Sequence, residues 1–438
     1  MMCKSVWSAT SEPPNFPILT GNIKTDVLVI GGGMAGILCA YFLQQAGMNY
    51  ALVEGGQIGC GITKNTTAKV TSQHGLIYDK LIRDAGIEKA KMYLHANQNA
   101  VAEFKRLAVQ FPCDLEEKSA FVYSHRDRNA IEQEVRAVER LGFSAGFTEE
   151  IPLPLRIAGA VEFKEQAQFN PLKFLYGISS ELNIYENSFV RELVGNVAVT
   201  AHGKIKADKI IVATHFPFLN KYGGYFLKMY QHRSYVVALK NASNVDGMYL
   251  EEVEDGLSFR NYGDLLLIGG GDHRTGEYGG NWRVLREFTK RKFPNAIERY
   301  SWATQDCMTL DGIPYIGRYS AHTPNLYVAT GFNKWGMSGS MVAARILADM
   351  VQGRRNPHST VFSPQRSMLK PQLAINTVKA VGSLLTPSTP RCPHMGCALK
   401  WNRVERTWDC PCHGSRFEKS GKLIDNPATD NLQLTIDN

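Results

Sequence analysis

The stretch TDVLVIGGGMAGILCAYFLQQAGMNYALVE, residues 25–54, limits the fold more tightly than any other part of the chain. Residues 27–30 are a continuous apolar run, the pattern of a parallel strand buried on both faces. Gly31, Gly33 and Gly36 follow with G-x-G-x-x-G spacing, then a helical segment ending near Gly47 and a second strand closing on Glu54. In such a unit Gly31 permits the tight turn, Gly33 lets backbone approach a pyrophosphate, and Gly36 allows the helix to pack closely on the strand. The helix amino terminus then faces the phosphates, and Glu54 accepts from the ribose hydroxyls. The motif by itself leaves NAD and FAD both open.

With 438 residues, 44% of them hydrophobic and 21% charged, the chain has the composition of a folded soluble protein of two or three domains. Residues 27–43 carry no charge, but the run is just short of a membrane span and its glycines fit a strand, turn and helix better. The opening residues MMCKSVWSATSEPPNF hold no apolar core or small-residue cleavage site, so a cytoplasmic location is expected. The formal charge of +8 suits an acidic partner such as a small electron carrier, yet Lys and Arg are dispersed as on an ordinary solvated surface. The sequence has no nucleic-acid motif, heptads or repeat, and no membrane span is expected.

Far along the chain, DGIPYIG (311–317), a strand-like NLYVATGF (325–332) and GMSGSMVAARILADMV (336–351) supply a second glycine-bearing helix start. Backbone amides at such a start suit an anionic or electron-rich group. Together with GGGMAG, GCGITKNTTAK after Glu54 and KIIVATH (209–215), these pieces resemble the D-amino acid oxidase and glycine oxidase family of flavoproteins over roughly residues 24–355. The resemblance implies FAD as cofactor. It places Gly31, Gly33, Ala35, Gly36, Glu54, Thr66, Thr67, Ala68, Lys69, Val190, Ala213, Thr214, Gly331, Gly336, Met337 and Ser338 in the cofactor site, with 336–340 near the flavin ring. Thr66 and Thr67 also fit an ordinary helix cap.

LLLIGGGDHRTGE (265–277) looks like a further strand and glycine turn, but Arg274 stands where a third fingerprint glycine would fall. With no second dinucleotide fold, the flavin is expected to exchange electrons with something other than NAD(P)H on this chain. Ile131, Val135, Val138 and Leu141 recur at helical spacing. SYVVALK (234–240) and LLLI read as strands of a sheet walling the flavin face, and the resemblance makes this region the substrate domain.

The last segment, RCPHMGCALKWNRVERTWDCPCHGSRF (391–417), sets Cys392 and His394 in one box and Cys410 and His413 in another. Structural zinc sites also use two thiolates and two imidazoles, but Cys397 and Cys412, at matching places in the two boxes, have no part in a zinc ribbon. The segment resembles Rieske proteins. That resemblance implies a [2Fe-2S] cluster with Cys392 and Cys410 on one iron and His394 and His413 on the other, and a disulfide between Cys397 and Cys412. Imidazole ligands raise the potential, to between about −150 and +300 mV. Ser415 matches a serine that donates to a bridging sulfide in high-potential members. Phe417 replaces a frequent tyrosine, so one donor is lost and the lower part of that range is expected.

The fold expected is α/β (α+β). A Rossmann-like FAD-binding domain (24–90, 180–220 and 300–355) carries an inserted mixed-sheet substrate domain (91–179 and 221–299). An N-terminal extension (1–23), a linker (356–390) and a truncated Rieske domain (391–438) complete the chain. Forty residues leave no room for full Rieske base strands, so the cluster loops are expected to pack directly on the other domains. The function expected is an amine or amino-acid dehydrogenase passing electrons between flavin, cluster and an external ferredoxin- or flavodoxin-like carrier. A reductase running in the opposite direction and an electron-transfer protein without a small-molecule substrate are the alternatives. Arg233, Arg260 and Arg274 are candidates to clamp a substrate carboxylate. His74 and Lys334 are candidates near the flavin.

Overall fold

A computed structural model describes residues 4–279, 281–387 and 390–433. The apolar run becomes the strand Ile23–Ile30, hydrogen-bonded in parallel to Lys204–Val212 on one side and to Tyr50–Val53 on the other. Leu326–Thr330 continues the sheet in parallel beyond Lys204–Val212, and Tyr315–Arg318 closes that edge antiparallel. The first strand is thus the point where the winding reverses, so its carboxyl end opens a crevice for a ligand. The helices Met34–Gln45 and Gly336–Val351 pack together on this sheet.

The second sheet has nine strands. Its long members, Met229–Lys240, Leu265–Arg274 and Ile297–Thr309, pair antiparallel around the first of them. Ile297–Thr309 runs across the boundary expected at residue 300, so the second sheet extends to Thr309. The helix Ile87–Gln110 packs on Gly336–Val351, and Pro171–Ser179 on Met34–Gln45. Both therefore belong to the first core, although they fall in the span expected for the substrate domain. The helix Arg128–Arg140 forms where the spacing predicts it and buries Ile131 and Val138. The segment 265–274 is one unbroken strand. Its glycines do not turn the chain; Gly269 and Gly270 present bare backbone beside Ser234–Val236.

Two connecting segments are more ordered than the sequence suggests. The N-terminal extension folds into the helix Val6–Thr10, whose Trp7 is fully buried and donates from Nε1 to the Thr66 carbonyl at 2.7 Å. The span 356–390 contains the helix Pro371–Leu385, started by a proline at its first turn. Its Asn376 accepts from Arg274 Nη1 at 3.0 Å.

The C-terminal module is a four-stranded antiparallel meander, Lys400–Asn402, Thr407–Asp409, Arg416–Glu418 and Leu423–Asp425. It lies directly on the second sheet. Gln231 Nε2 donates to the carbonyls of His413 (2.7 Å) and Asn426 (3.1 Å), and Gln305 Nε2 donates to the Gly414 carbonyl at 2.8 Å. At the centre of the contact Glu405 receives Arg233 as a bidentate pair, the Tyr235 hydroxyl at 3.0 Å and Arg416 at 2.9 Å. Burial pushes the Glu405 carboxyl up, but the two guanidiniums outweigh it and hold it down at about 2.

Removing one member of a buried pair strands the other's charge and costs about 3–5 kcal/mol. Glu405→Gln is therefore expected to lower the unfolding temperature of the C-terminal module and its protection from hydrogen exchange. Because the native carboxyl titrates below the ordinary glutamate value of about 4.3, its stabilisation is complete above that pH and lost as pH falls towards 2. Acid unfolding curves of the native and Glu405→Gln chains are expected to converge in that window.

Candidate functional site

The turn after the first strand has the construction its glycines require. Gly31 adopts φ +113°, and a Cβ there would lie 2.5 Å from the Ala213 carbonyl oxygen at the end of the neighbouring strand. A Cβ on Gly36 would lie 1.8 Å from the Gly31 carbonyl oxygen, so only glycine lets the helix seat against the turn. Thr63 Oγ1 accepts from the Met34 amide at 3.1 Å at the start of that helix. Glu54 accepts from the Gly32 amide (2.6 Å) and the Gly56 amide (2.9 Å), which fix its carboxylate at the end of the second strand.

A cavity of about 1140 Å³ opens from this crevice. Of the residues expected at the cofactor, Gly31, Gly33, Ala35, Glu54, Thr66, Thr67, Lys69, Val190, Ala213, Thr214, Gly336 and Met337 line it. Gly36, Ala68, Gly331 and Ser338 stand behind the wall. Gly331, at φ +70°, lets the chain turn against Thr309, and Ser338 hydrogen-bonds His74 Nε2 at 2.9 Å. The cavity continues along the second sheet past Ser234, Gly269, Gly270, Thr304 and Asp306, and ends against residues 422–426 and 428–429 of the C-terminal module. All three sheets therefore contribute to one space.

The catalytic candidates separate sharply. Lys334 lines the cavity and is paired with Asp272. His74 lies one layer back, stacked on Trp335 with ring centroids 4.7 Å apart and bonded to the Tyr93 hydroxyl at 2.6 Å. Burial pushes it down to about 3, so it is neutral and props Trp335 at the helix start. The three arginines are not a carboxylate clamp, because each is occupied by protein acceptors. Arg233 binds Glu405. Arg260 donates to the carbonyls of Thr67 (2.9 Å) and Ala68 (2.8 Å) beneath Trp7. Arg274 donates to Pro411 (3.2 Å) and Cys412 (3.4 Å). Lys69 donates to the Tyr249 carbonyl at 2.6 Å, and burial followed by the nearby Arg260 brings it down to about 7.

Asp272, Ser234, Thr304 and Asp306 have no local motif and escape sequence reading. Their one signal is a polar residue at every second position of an otherwise core-facing strand, which becomes informative only once the strand's partners are known.

In the C-terminal boxes the donor set fits an iron–sulfur cluster. Cys392, Cys410 and His413 are buried, and the rings of His394 and His413 stand 5.0 Å apart. Each imidazole uses Nε2 outward, His394 with Asn220 Oδ1 and His413 with the Phe226 carbonyl, both at 2.9 Å. Both Nδ1 atoms are buried without a partner, as two nitrogens reserved for a metal should be. Burial holds both rings neutral, His394 at about 4. The sulfurs of Cys397, Cys410 and Cys412 lie within 4.8 Å of one another. Cys397 and Cys412 are thus neighbours but not at bonding distance, where the disulfide implied by resemblance would bring the sulfurs to about 2 Å. Ser415 Oγ accepts from the Ala428 amide at 3.0 Å, and Phe417 is fully buried.

None of the helices among the described residues is long and apolar enough to cross a membrane. Gly36→Ala is expected to yield protein without bound flavin, measured by absorbance after purification, while retaining its iron. His413→Ala is expected to do the reverse, keeping flavin and losing iron and labile sulfide.

Comparison with known proteins agrees with both halves. The FAD dependent oxidoreductase family matches residues 26–350 and the Rieske [2Fe-2S] domain matches residues 368–435. The putative Rieske 2Fe-2S iron-sulfur protein YhfW of Bacillus subtilis (strain 168) is 34% identical, covering 99% of this chain and 98% of its own. Two solved structures share the fold. L-proline dehydrogenase from P. horikoshii has a TM-score of 0.67 at 17% identity, over 80% of this chain and 98% of its own. Glycine oxidase from Geobacillus kaustophilus has a TM-score of 0.65 at 19% identity, over 78% and 99%. The chain belongs to the FAD-dependent oxidoreductase family and carries a C-terminal Rieske domain, a pairing that makes it an oxidoreductase of FAD and a [2Fe-2S] cluster.

Proposed function

We propose that this protein is a dehydrogenase that oxidises the carbon–nitrogen bond of an amine or amino acid and delivers the electrons singly to a separate ferredoxin- or flavodoxin-like carrier. The observation that carries this reading is the cavity shared by the dinucleotide crevice, the second sheet and the Rieske module. Bound FAD supplies two-electron acceptance and the cluster supplies one-electron exchange. The residues prepare the space for them. Gly31 and Gly33 leave the crevice open, Glu54 offers a fixed carboxylate at the end of the second strand, and Gly269 and Gly270 leave bare backbone on part of the facing wall. Lys334 and Asp272 neutralise each other beside the late helix start.

The cavity exceeds the ~300–1,000 Å³ of pockets that take one drug-sized ligand, which favours room for a dinucleotide and a small substrate together. That speaks against an electron-transfer protein with no substrate. The two structural neighbours, L-proline dehydrogenase and glycine oxidase, support C–N oxidation.

The test is an anaerobic titration of iron-replete protein with pooled amines and amino acids, following flavin bleaching and the cluster's paramagnetic signal. Reduction of both centres is expected. If no compound reduces either centre while a chemical reductant reduces both, the dehydrogenase reading fails and the reverse, carrier-to-substrate direction takes its place.

A further inference from the structure

The substrate end of the cavity is unevenly charged. Glu251, Glu252, Glu254, Asp272, Asp306 and Asp425 line the cavity with Lys69, Lys334 and Lys422, and among the described residues no arginine does. Lys69 is occupied by the Tyr249 carbonyl and Lys334 by Asp272, while Lys422 is solvent-exposed. A substrate carboxylate entering this space therefore finds no free guanidinium.

Asp306 is the opposite case. Among the described residues its half-buried side chain has no hydrogen-bond or ion-pair partner; it stands on the edge strand of the second sheet and faces the cavity. Two residues earlier on the same face stands Thr304, directly across from Ser234 on the neighbouring strand. Thr304 is 7% exposed and Ser234 9%, both line the cavity, and both hydroxyl oxygens lack any partner. Buried polar atoms without partners are rare, and each one asks for an explanation. Here two buried hydroxyls lack a partner, and the half-buried Asp306 carboxylate stands beside them on the same face of the cavity.

We infer that Asp306, Thr304 and Ser234 bind the ammonium group of the substrate, and that the substrate is a cationic amine lacking a carboxylate beside the reacting carbon. An ammonium supplies three donors and no acceptor, which matches the patch. A carboxylate on the same carbon would find the buried cations of the wall already engaged, Lys69 by the Tyr249 carbonyl and Lys334 by Asp272. This inference rests on the amine-oxidising reading and narrows it.

Ionisation of Asp306 gives a second handle. Burial raises its carboxyl to about 6, Lys334 and Arg233 oppose the rise and Asp272 adds to it. His232, its cross-strand partner, is pushed down to about 3, chiefly by burial, and stays neutral. Cation binding through Asp306 is thus fully developed only well above pH 6 and is lost as pH falls through that value.

The experiment compares matched pairs differing only by the carboxylate, cadaverine with lysine and putrescine with ornithine. It uses calorimetric binding to the oxidised holoprotein and anaerobic flavin reduction as separate readouts. The amine of each pair is expected to bind at least tenfold more tightly. Asp306→Asn is expected to weaken amine binding on the order of 10- to 100-fold, leave the amino acids unchanged and abolish the loss of binding below pH 6. Thr304→Val, which keeps the side-chain shape, is expected to give a smaller loss in the same direction. If the amino acids bind or reduce better, or if Asp306→Asn binds amines as the native protein does, the inference is overturned while the dehydrogenase reading stands. If neither member of any pair binds or reduces the flavin, both fail.

Discussion

Glu405 sits where three demands meet. It is nearly inaccessible to water, it comes from the C-terminal module, and its main partner Arg233 comes from the middle of the longest pairing in the second sheet. A carboxylate in that position is tolerable only with both guanidiniums in place, so the module has one seat on the sheet. Arg416 extends the constraint, tying Glu405 to Asp409 and Asp425 within the meander. Asp425 in turn belongs to the segment that closes the cavity. The ion network thus fixes both the cluster boxes and one wall of the cavity.

This arrangement explains why the arginines are missing from the cavity. Arg233 and Arg274 both point towards the C-terminal module, where Rieske backbone and carboxylate groups receive them. Docking an electron-transfer module and clamping a substrate carboxylate call on the same strands, and here docking has them. What the second sheet leaves facing the cavity is small, polar or acidic. The histidine-bearing tip is covered too. Phe216 lies edge-on to both imidazoles at 6.5 and 6.1 Å, and its chain neighbours Ala213 and Thr214 line the cofactor crevice. One short stretch of backbone therefore connects the crevice to the cluster ligands.

How much of this is legible in the sequence follows from the range of the interactions. The glycine turn and the two Cys-His boxes are local: their chemistry is set by residues a few positions apart, and their spacing alone carries it. Gly31 and Gly36 have the contacts their spacing requires. The arginines are long-range, and nothing near Arg233 in sequence announces Glu405. The helix Pro371–Leu385 was hidden for another reason. It buries only Asn376 and leaves Ile375, Val378 and Leu385 exposed, so it lacks the apolar stripe that normally marks a packed helix. The disulfide expected between Cys397 and Cys412 came from resemblance alone; the structure brings the two sulfurs within 4.8 Å of each other without bonding them.

Flavin site and Rieske module are docked as one unit within a single chain. The most direct measurement is the rate at which electrons reach the cluster after rapid anaerobic reduction of the flavin, across a wide range of protein concentration. A fixed unit predicts cluster reduction with a rate independent of concentration, because both centres belong to the same molecule. A rate that rises in proportion to concentration, or a cluster that stays oxidised until an added carrier arrives, would contradict it.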